Sequence, residues 1–459
     1  MRTYVLEPGA GMPLYEQLYR ALKEDILTGV IAGGEKLPSK RTLAEHLNVS
    51  RITVENAYSQ LLAEGYLVSR PRSGYFAETL EAVPMERAGA PVPAPAAPVI
   101  QPPPPSADRF PFSVWARLMR SVILDRHDQL LQPSPNTGLA DLRMAIAGML
   151  RRSRGMEVDP ACILVGAGAE YCYNLLIQLL GRENCFGLED PGHRKVRQVY
   201  EANGVAVCPL KLDGSGVALR GLQDSAATVL HISPNHQYPT GIVTPIARRS
   251  QLMAWVASRP DRWIIEDDYD SEFRFSGKVI PSMFSMDSTG RVVYLNTFSK
   301  TITPALRISY MILPKALMDR YQSLLGFYSC TVPSFEQLTL ARFLDEGYFE
   351  KHVSRMRRHY RLLRDRLLAL LAQSPQADRI SVQGHEAGLH FLLRLDTTLS
   401  DREVETQLAG AGIRAASLAR YETDPAAEAD QGLVVISYSD LAEADLPGLV
   451  ARLEELVAG

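Results

Sequence analysis

Apolar positions recur along the chain with two different periods, and the change of period divides it. In the first 80 residues the spacing is helical: Leu14, Leu18, Leu22 and Ile26 share one stripe of "PLYEQLYRALKEDILTGVI". The stretch "LPSKRTLAEHLNVSRITVENAYSQLLAEGYLVSRPRSGYF" then reads as helix, tight turn, helix and hairpin. Leu43 and Leu47 face inward from the first of these helices, and Val54, Ala57 and Leu61 from the second. Ser39 and Ser50 stand at the two helix starts, where a hydroxyl accepts an otherwise unpaired backbone N–H. "PRSGY" predicts the turn of a two-stranded wing, with Gly74 supplying backbone freedom.

Periodicity then fails from Ala82 to Asp108, "AVPMERAGAPVPAPAAPVIQPPPPSAD", where so many prolines and alanines cannot bury a core and predict an extended linker. Beyond it, the strand-like runs "CILVGA", "NCFGLE", "ATVLHIS", "RWIIED" and "VVYLN" alternate with helical patterns, which predicts an α/β domain on a mostly parallel sheet. The division is therefore 1–81, 82–108 and 109–459, with a smaller C-terminal subdomain from about 330 to 459, and a chain of 459 residues suits more than one core. Net charge of −3 and a pI near 6.3 point to no nucleic acid or membrane surface globally, so any such partner must be read locally. With no secretory pattern at the start and no long apolar run, a membrane is not expected and a cytoplasmic location is. Five scattered cysteines without a CxxC predict reduced thiols, with neither zinc nor a disulfide frame.

A helix-turn-helix puts the start of its second helix, here "SRITVEN", into a DNA major groove. Arg51 projects from that start, and Lys40 and Arg41 open the preceding helix, in reach of phosphates or guanine edges. Residues 1–80 hold nine Lys+Arg against nine Asp+Glu, so non-specific attraction to DNA should be modest.

Three polar constellations fall where predicted strands end, the position at which α/β sheets collect ligands. The first, "GAGAEYCYNLLIQLLG" from Gly166, starts a helix near Ala169 and suits either an anionic phosphate or a plain glycine turn. The second, "WIIEDDYDSEFRF", puts Asp267 and Tyr269 on one face and Asp268 on the other. It could bind a metal, cap a helix or meet a heteroaromatic ring; no histidine or further acid clusters nearby in sequence, so no metal is expected. The third, "TFSKTITPALR", carries Thr297, Ser299, Lys300 and Arg307. Together they describe one ligand with a phosphate, a ring nitrogen needing a carboxylate, a ring hydroxyl and an aldehyde needing an amine: pyridoxal 5′-phosphate. Lys300 would form the Schiff base, with burial and Arg307 favouring its neutral amine. Arg307, Thr297 and Ser299 would hold the phosphate, Asp267 the pyridine nitrogen and Tyr269 the phenolic oxygen.

The N-terminal stretch quoted above resembles the winged helix of GntR-type bacterial regulators, a resemblance that implies DNA contacts at Ser39, Arg41, Arg51, Thr53 and Gly74. From about Phe110 to Val457 the chain looks like a fold-type I, class I aminotransferase domain, and "SPNHQYPTG" with "IIEDDYDSEF" resembles the MocR family, in which the two modules are joined by a long linker. By that resemblance Lys300, Asp267, Tyr269 and Arg307 keep the roles above, Ala169 and Glu170 add backbone N–H groups to the phosphate, and His193 stacks on the ring. Amino-acid-sensing members carry an arginine near the C-terminus; "LVVISYS" has Val435 in its place, while Lys195, Arg414 and Arg420 are the cations that remain for an effector carboxylate. The missing arginine resembles the PdxR-like branch, where pyridoxal phosphate itself signals to vitamin B6 synthesis genes. The resemblance implies a homodimer, with winged helices exchanged between subunits, binding a double-stranded operator. A regulator whose cofactor domain senses is thus set against a working aminotransferase carrying a DNA-binding module, an amino-acid sensor, and a dead-pocket interaction protein.

Overall fold

The computed structural model describes residues 2–8, 11–79, 110–275, 280–424, 432–437 and 441–458. The expected linker lies outside the described residues, and the chain divides into two compact units within it, between Val99 and Ile100.

In the first unit, helices α1 (Leu14–Leu27), α2 (Lys40–Leu47) and α3 (Arg51–Ala63) enclose Leu18, Leu22, Ile26, Leu43, Val54, Ala57, Tyr58 and Leu61, all buried. Both caps form as expected: the Ser39 hydroxyl accepts from Thr42 N and the Ser50 hydroxyl from Thr53 N, each at 3.1 Å. Such a cap stabilises a helix by about 1 kcal/mol. Asn48 ends α2 in the left-handed conformation, making the tight turn. Strands β2 (Leu67–Arg70) and β3 (Gly74–Ala77) form the wing, and a short β1 (Lys36–Leu37) adds a third strand that sequence reading missed.

The second unit carries an eight-stranded sheet. Its strands are β4 (Ile163–Gly166), β5 (Cys185–Asp190), β6 (Ala206–Asp213), β7 (Gly216–Val217), β8 (Val229–Ile232), β9 (Trp263–Asp267), β10 (Val292–Thr297) and β11 (Ser309–Ile312). They run in the order β4-β11-β10-β9-β8-β5-β6-β7; β11 is antiparallel to both neighbours, β7 is antiparallel to β6, and the other pairings are parallel. All five predicted strands are present. β6 and β11 escaped notice because "AVCPLKLD" is interrupted by a proline and a lysine and "SYMI" is short.

β5 and β6 also correct the reading of the cysteines. Their register sets Gly187 opposite Cys208, two residues from Cys185, and Cys185 and Cys208 are joined in a disulfide. Twenty-three residues apart in sequence, they give no spacing signal; only strand pairing brings them together. Cys162, Cys172 and Cys330 are free, as expected.

A four-stranded antiparallel sheet follows, ordered β12-β13-β15-β14, from β12 (Ile380–Gln383), β13 (His390–Leu395), β14 (Ala415–Ser417) and β15 (Leu433–Ser437). The helix Tyr348–Gln373 bridges two cores: Phe349 and Val353 pack with the large sheet, whereas Met356 to Leu371 pack under the small one. The small core therefore begins near Met356, later than position 330, because Leu340, Phe343 and Leu344 of the preceding helix pack with the large sheet's Tyr294 and Tyr310.

One buried cation fixes the end of β9. The Arg154 guanidinium pairs with Asp268, which also accepts from Tyr294 Oη at 2.6 Å and Asn235 Nδ2 at 2.8 Å. Glu266 and Glu272 stand close to the same pair. Three carboxylates around one guanidinium cannot all ionise cheaply in a dry site: burial, then the Asp268 charge, push Glu266 up to about 7, and Glu272 moves the same way. An acid raised in the fold loses stability as pH climbs from its unfolded value, near 4.5, through about 7. Glu266→Gln should therefore melt a few degrees above the parent at pH 8 and differ little at pH 5, a comparison calorimetry makes directly.

Candidate functional site

A cavity of about 900 Å³ opens at the C-terminal ends of the central strands and reaches the small sheet. Period two along β9 has the predicted effect: Asp267 and Tyr269 line the cavity, while Asp268 turns away to Arg154. Asp267 is buried, and its Oδ2 accepts from Tyr173 Oη at 2.6 Å and stands 3.3 Å from His231 Nε2. Tyr200 Oη lies 2.7 Å from His231 Nδ1, so a phenol fixes the imidazole that fixes the carboxylate. Sequence reading missed Tyr173, His231 and Tyr200. The available signal was a histidine inside the fully buried strand "VLHI" and a tyrosine one helical turn from Ala169.

Lys300 lines the cavity at the end of a short helix, Phe298–Thr301, capped by Thr297, whose hydroxyl accepts from Ser299 N at 3.2 Å. The lysine is exposed to the cavity, so the expectation that it is buried fails. Thr297, Ser299 and Arg307 line the same end, and the Ser299 hydroxyl is buried without a partner. The helix Ala169–Leu180 starts here with no side chain of Gly168 to cap it, and the Glu170 N–H is met by its own carboxylate. Its cap residue is Gly168, at φ +94°, where a Cβ would come within 2.3 Å of the Arg307 guanidinium. An uncapped helix start, an unpaired hydroxyl and an arginine beside a glycine that leaves it room are donors for a phosphate.

Glu170 stands among the same donors. Its carboxylate accepts from Arg307 at 2.5 Å and pairs with Lys195. Burial alone would raise this acid, but the Lys195 bond, a backbone N–H and Arg307 outweigh it and hold Glu170 at about 2. Both cations that were expected to meet a phosphate or an effector carboxylate are thus paired internally. His193 lines the cavity with its ring 5.2 Å from that of Tyr238. Arg414 lines it as well and makes no ion pair among the described residues. Arg420 is not on the cavity wall: it pairs with Glu405. Val435, on β15, presents an apolar wall where an arginine was sought.

The expectation that no histidine gathers near the acidic stretch is overturned. His236, from "SPNHQ", and His390, on β13, meet Asp270, with His236 Nδ1 2.9 Å from Asp270 Oδ2 and all three residues buried. Folding, not sequence proximity, brings position 390 to position 270.

In the first unit, Arg51 is exposed at the start of α3 and makes no ion pair among the described residues. Lys40, by contrast, is held by Glu55 at 2.7 Å, and Arg41 by Glu45 at 2.8 Å; exposed pairs of the second kind are worth little and break readily for a phosphate. The Thr53 hydroxyl is 2.8 Å from that of Ser50, and Gly74 takes φ +110° at the wing tip. Ile52, 68% exposed beside Arg51, was not anticipated; an apolar side chain there suits a thymine methyl.

The family described as bacterial regulatory proteins, gntR family, matches residues 14–76, and the family aminotransferase class I and II matches residues 105–444. The chain is 34% identical, over 91% of its length and 88% of the relative's, to a probable rhizopine catabolism regulatory protein, MocR, of Rhizobium meliloti. The chain belongs to the MocR-type GntR regulators. Another member of this group, the pyridoxine biosynthesis transcriptional regulator PdxR of Corynebacterium glutamicum, is 31% identical over 99% of this chain and 98% of its own. Among solved structures, the multiple substrate aminotransferase of Thermococcus profundus aligns with a TM-score of 0.67 at 21% identity, over 77% of this chain and 89% of that one, which shows the fold. MocR-type regulators thus pair a DNA-binding helix-turn-helix with a domain of a pyridoxal-phosphate-dependent family, and the cavity's donors fit that cofactor. No described helix is long and apolar enough to cross a membrane.

Gly388 ties this MocR-type cavity to the small sheet. It sits at φ +74°, and a Cβ there would fall 1.9 Å from the buried His236 ring. Gly388→Ala should lower stability by about 2–4 kcal/mol, read as a fall in denaturation midpoint without change of slope.

Proposed function

We propose that this protein is a transcription regulator in which a ligand held in the aminotransferase-like domain, pyridoxal 5′-phosphate foremost, sets the affinity of the winged helix for its operator. The observation that carries this reading is the convergence of Lys300, Asp267, Tyr269 and Arg307, drawn from separate segments, on one cavity of a chain that also bears an exposed recognition helix. When bound, pyridoxal phosphate supplies an aldehyde and an electron-accepting ring.

The chain's own residues would do the rest. Lys300 offers an amine from a capped turn. Tyr173 and His231 orient Asp267 to hold a proton at the ring nitrogen. Tyr269, whose hydroxyl donates to the His236 carbonyl at 3.0 Å, stands ready for the phenolic oxygen. Arg307, Ser299, Thr297 and the N–H groups of Ala169 and Glu170 would take the phosphate, and His193 would cover the ring face. Turnover as an aminotransferase needs a clamp for the substrate carboxylate, and the Val435 wall argues against one.

At the other end, Arg51 would read a base edge, with Ser39, Lys40, Arg41, Thr53 and Gly74 at or near the phosphates. The name of PdxR supports vitamin B6 synthesis genes as targets. A homodimer exchanging its winged helices in the cytoplasm completes the proposal. Arg414 favours a second reading: an unpaired guanidinium in the cavity suits an effector bearing a carboxylate, such as an amino acid.

Two measurements check this. Lys300→Ala should lose the visible absorbance of the bound cofactor; retention of that band would remove Lys300 from the site. Footprinting on the neighbouring promoter should show affinity changing with pyridoxal phosphate alone, and Arg51→Ala should abolish the footprint. A footprint indifferent to the cofactor but shifted by an amino acid would transfer the effector role to the Arg414 reading.

A further inference from the structure

The cluster of His236, Asp270 and His390 has no task in the scheme above. His236 and Asp270 come from the loops after β8 and β9, whereas His390 begins β13 of the small sheet, so the cluster spans the seam between the two sheets. All three are buried, at 2%, 1% and 4% exposure. One ligand atom from each lies within 4.8 Å of the others. Nitrogen and oxygen atoms around a tetrahedral zinc-class ion sit roughly 3.3 Å apart, given bond lengths of about 2.0–2.1 Å. The His236 Nδ1 to Asp270 Oδ2 distance of 2.9 Å is already close to that spacing.

His236 Nε2 and His390 Nε2 are buried and have no hydrogen-bond partner among the described residues; since His236 turns Nδ1 to Asp270, it is His390 Nε2 that an ion beside those two groups would satisfy. Burying an unpaired ring nitrogen is unfavourable, and the two rings stand close together, their centroids 4.4 Å apart. The surroundings are prepared too. Asp270 Oδ2 also accepts from Leu389 N at 3.2 Å, which orients the carboxylate, and Gly388 leaves the room that His236 fills. Asp270 and His390 line the cavity, so a fourth position opens onto it. Two imidazoles and one carboxylate with an open position are the ligand set of zinc-class sites that keep a place for water or a substrate atom.

We infer that His236, Asp270 and His390 form a binding site for a divalent transition ion of the zinc class, its open position facing the cavity. The ion joins the large sheet to the small one and offers a ligand in the cavity a second anchoring point.

Cobalt(II) serves as the probe. Full-length, untagged protein carrying pyridoxal phosphate is treated with chelator and titrated with Co²⁺ alone. One Co²⁺ per chain is expected, with the visible bands of a four- or five-coordinate ion, displaced by one equivalent of Zn²⁺. His390→Asn and Asp270→Asn should each weaken that binding by about tenfold or more while keeping the cofactor's absorbance, which reports a folded site. Should both variants fail to fold, the parent alone decides: Zn²⁺, but not Mg²⁺, should raise its melting temperature. Absence of stoichiometric Co²⁺ binding in the parent would overturn the site. So would binding unchanged in both variants, or a sulfur charge-transfer band placing the ion on Cys162, Cys172 or Cys330. Loss of the cofactor band in Lys300→Ala bears on the pyridoxal reading and leaves this one untouched.

Discussion

At the end of β9 two neighbouring carboxylates part company, and the site depends on the charge that makes them do so. Asp268 is drawn to the buried guanidinium of Arg154 and is met there by Tyr294, Ser271 and Asn235. A buried ion pair of this kind contributes little net stability, because desolvation offsets most of the attraction. Its value lies in direction. With Asp268 committed to one face, the pleat of the strand commits Asp267 to the other, under Tyr173 and His231. A one-residue slip would exchange the two acids and leave the cavity without its carboxylate.

The same alternation explains what sequence alone disclosed. Residues whose positions follow from period or from an adjacent motif were legible: the capped helices of the first unit, the five central strands, the helix beginning at Ala169, and the opposed faces of Asp267 and Asp268. Contacts that need two distant segments were not. The disulfide rests on the register of β5 and β6. The partners of Asp267 come from positions 173 and 231, and the cluster at Asp270 draws one member from position 390. Lys300 failed as a buried amine for a related reason: the wall that was imagined around it is a cavity 900 Å³ in size, and burial cannot be read from the apolar strand that precedes the lysine.

The two units differ in how they hold their arginines. In the second, Arg154 and Arg249 are locked inside; Arg249, fully buried, donates to the carbonyls of Thr244, Pro281 and Pro234 and to Asn235 Oδ1, filling its fork. In the first, Arg51 is left in solvent and Arg41 in an exposed pair. Arg249 meets acceptors with all three of its nitrogens, whereas Arg51 is left available to bind elsewhere.

Glu170 gives the cavity a property that an inventory of donors would hide. Its carboxylate sits on Arg307 and Lys195, cations that are themselves about half exposed, so an anion entering the cavity meets an internal carboxylate on the same two groups. Competition of this kind subtracts from an anion's affinity, and it subtracts least from one whose several oxygens reach both cations together.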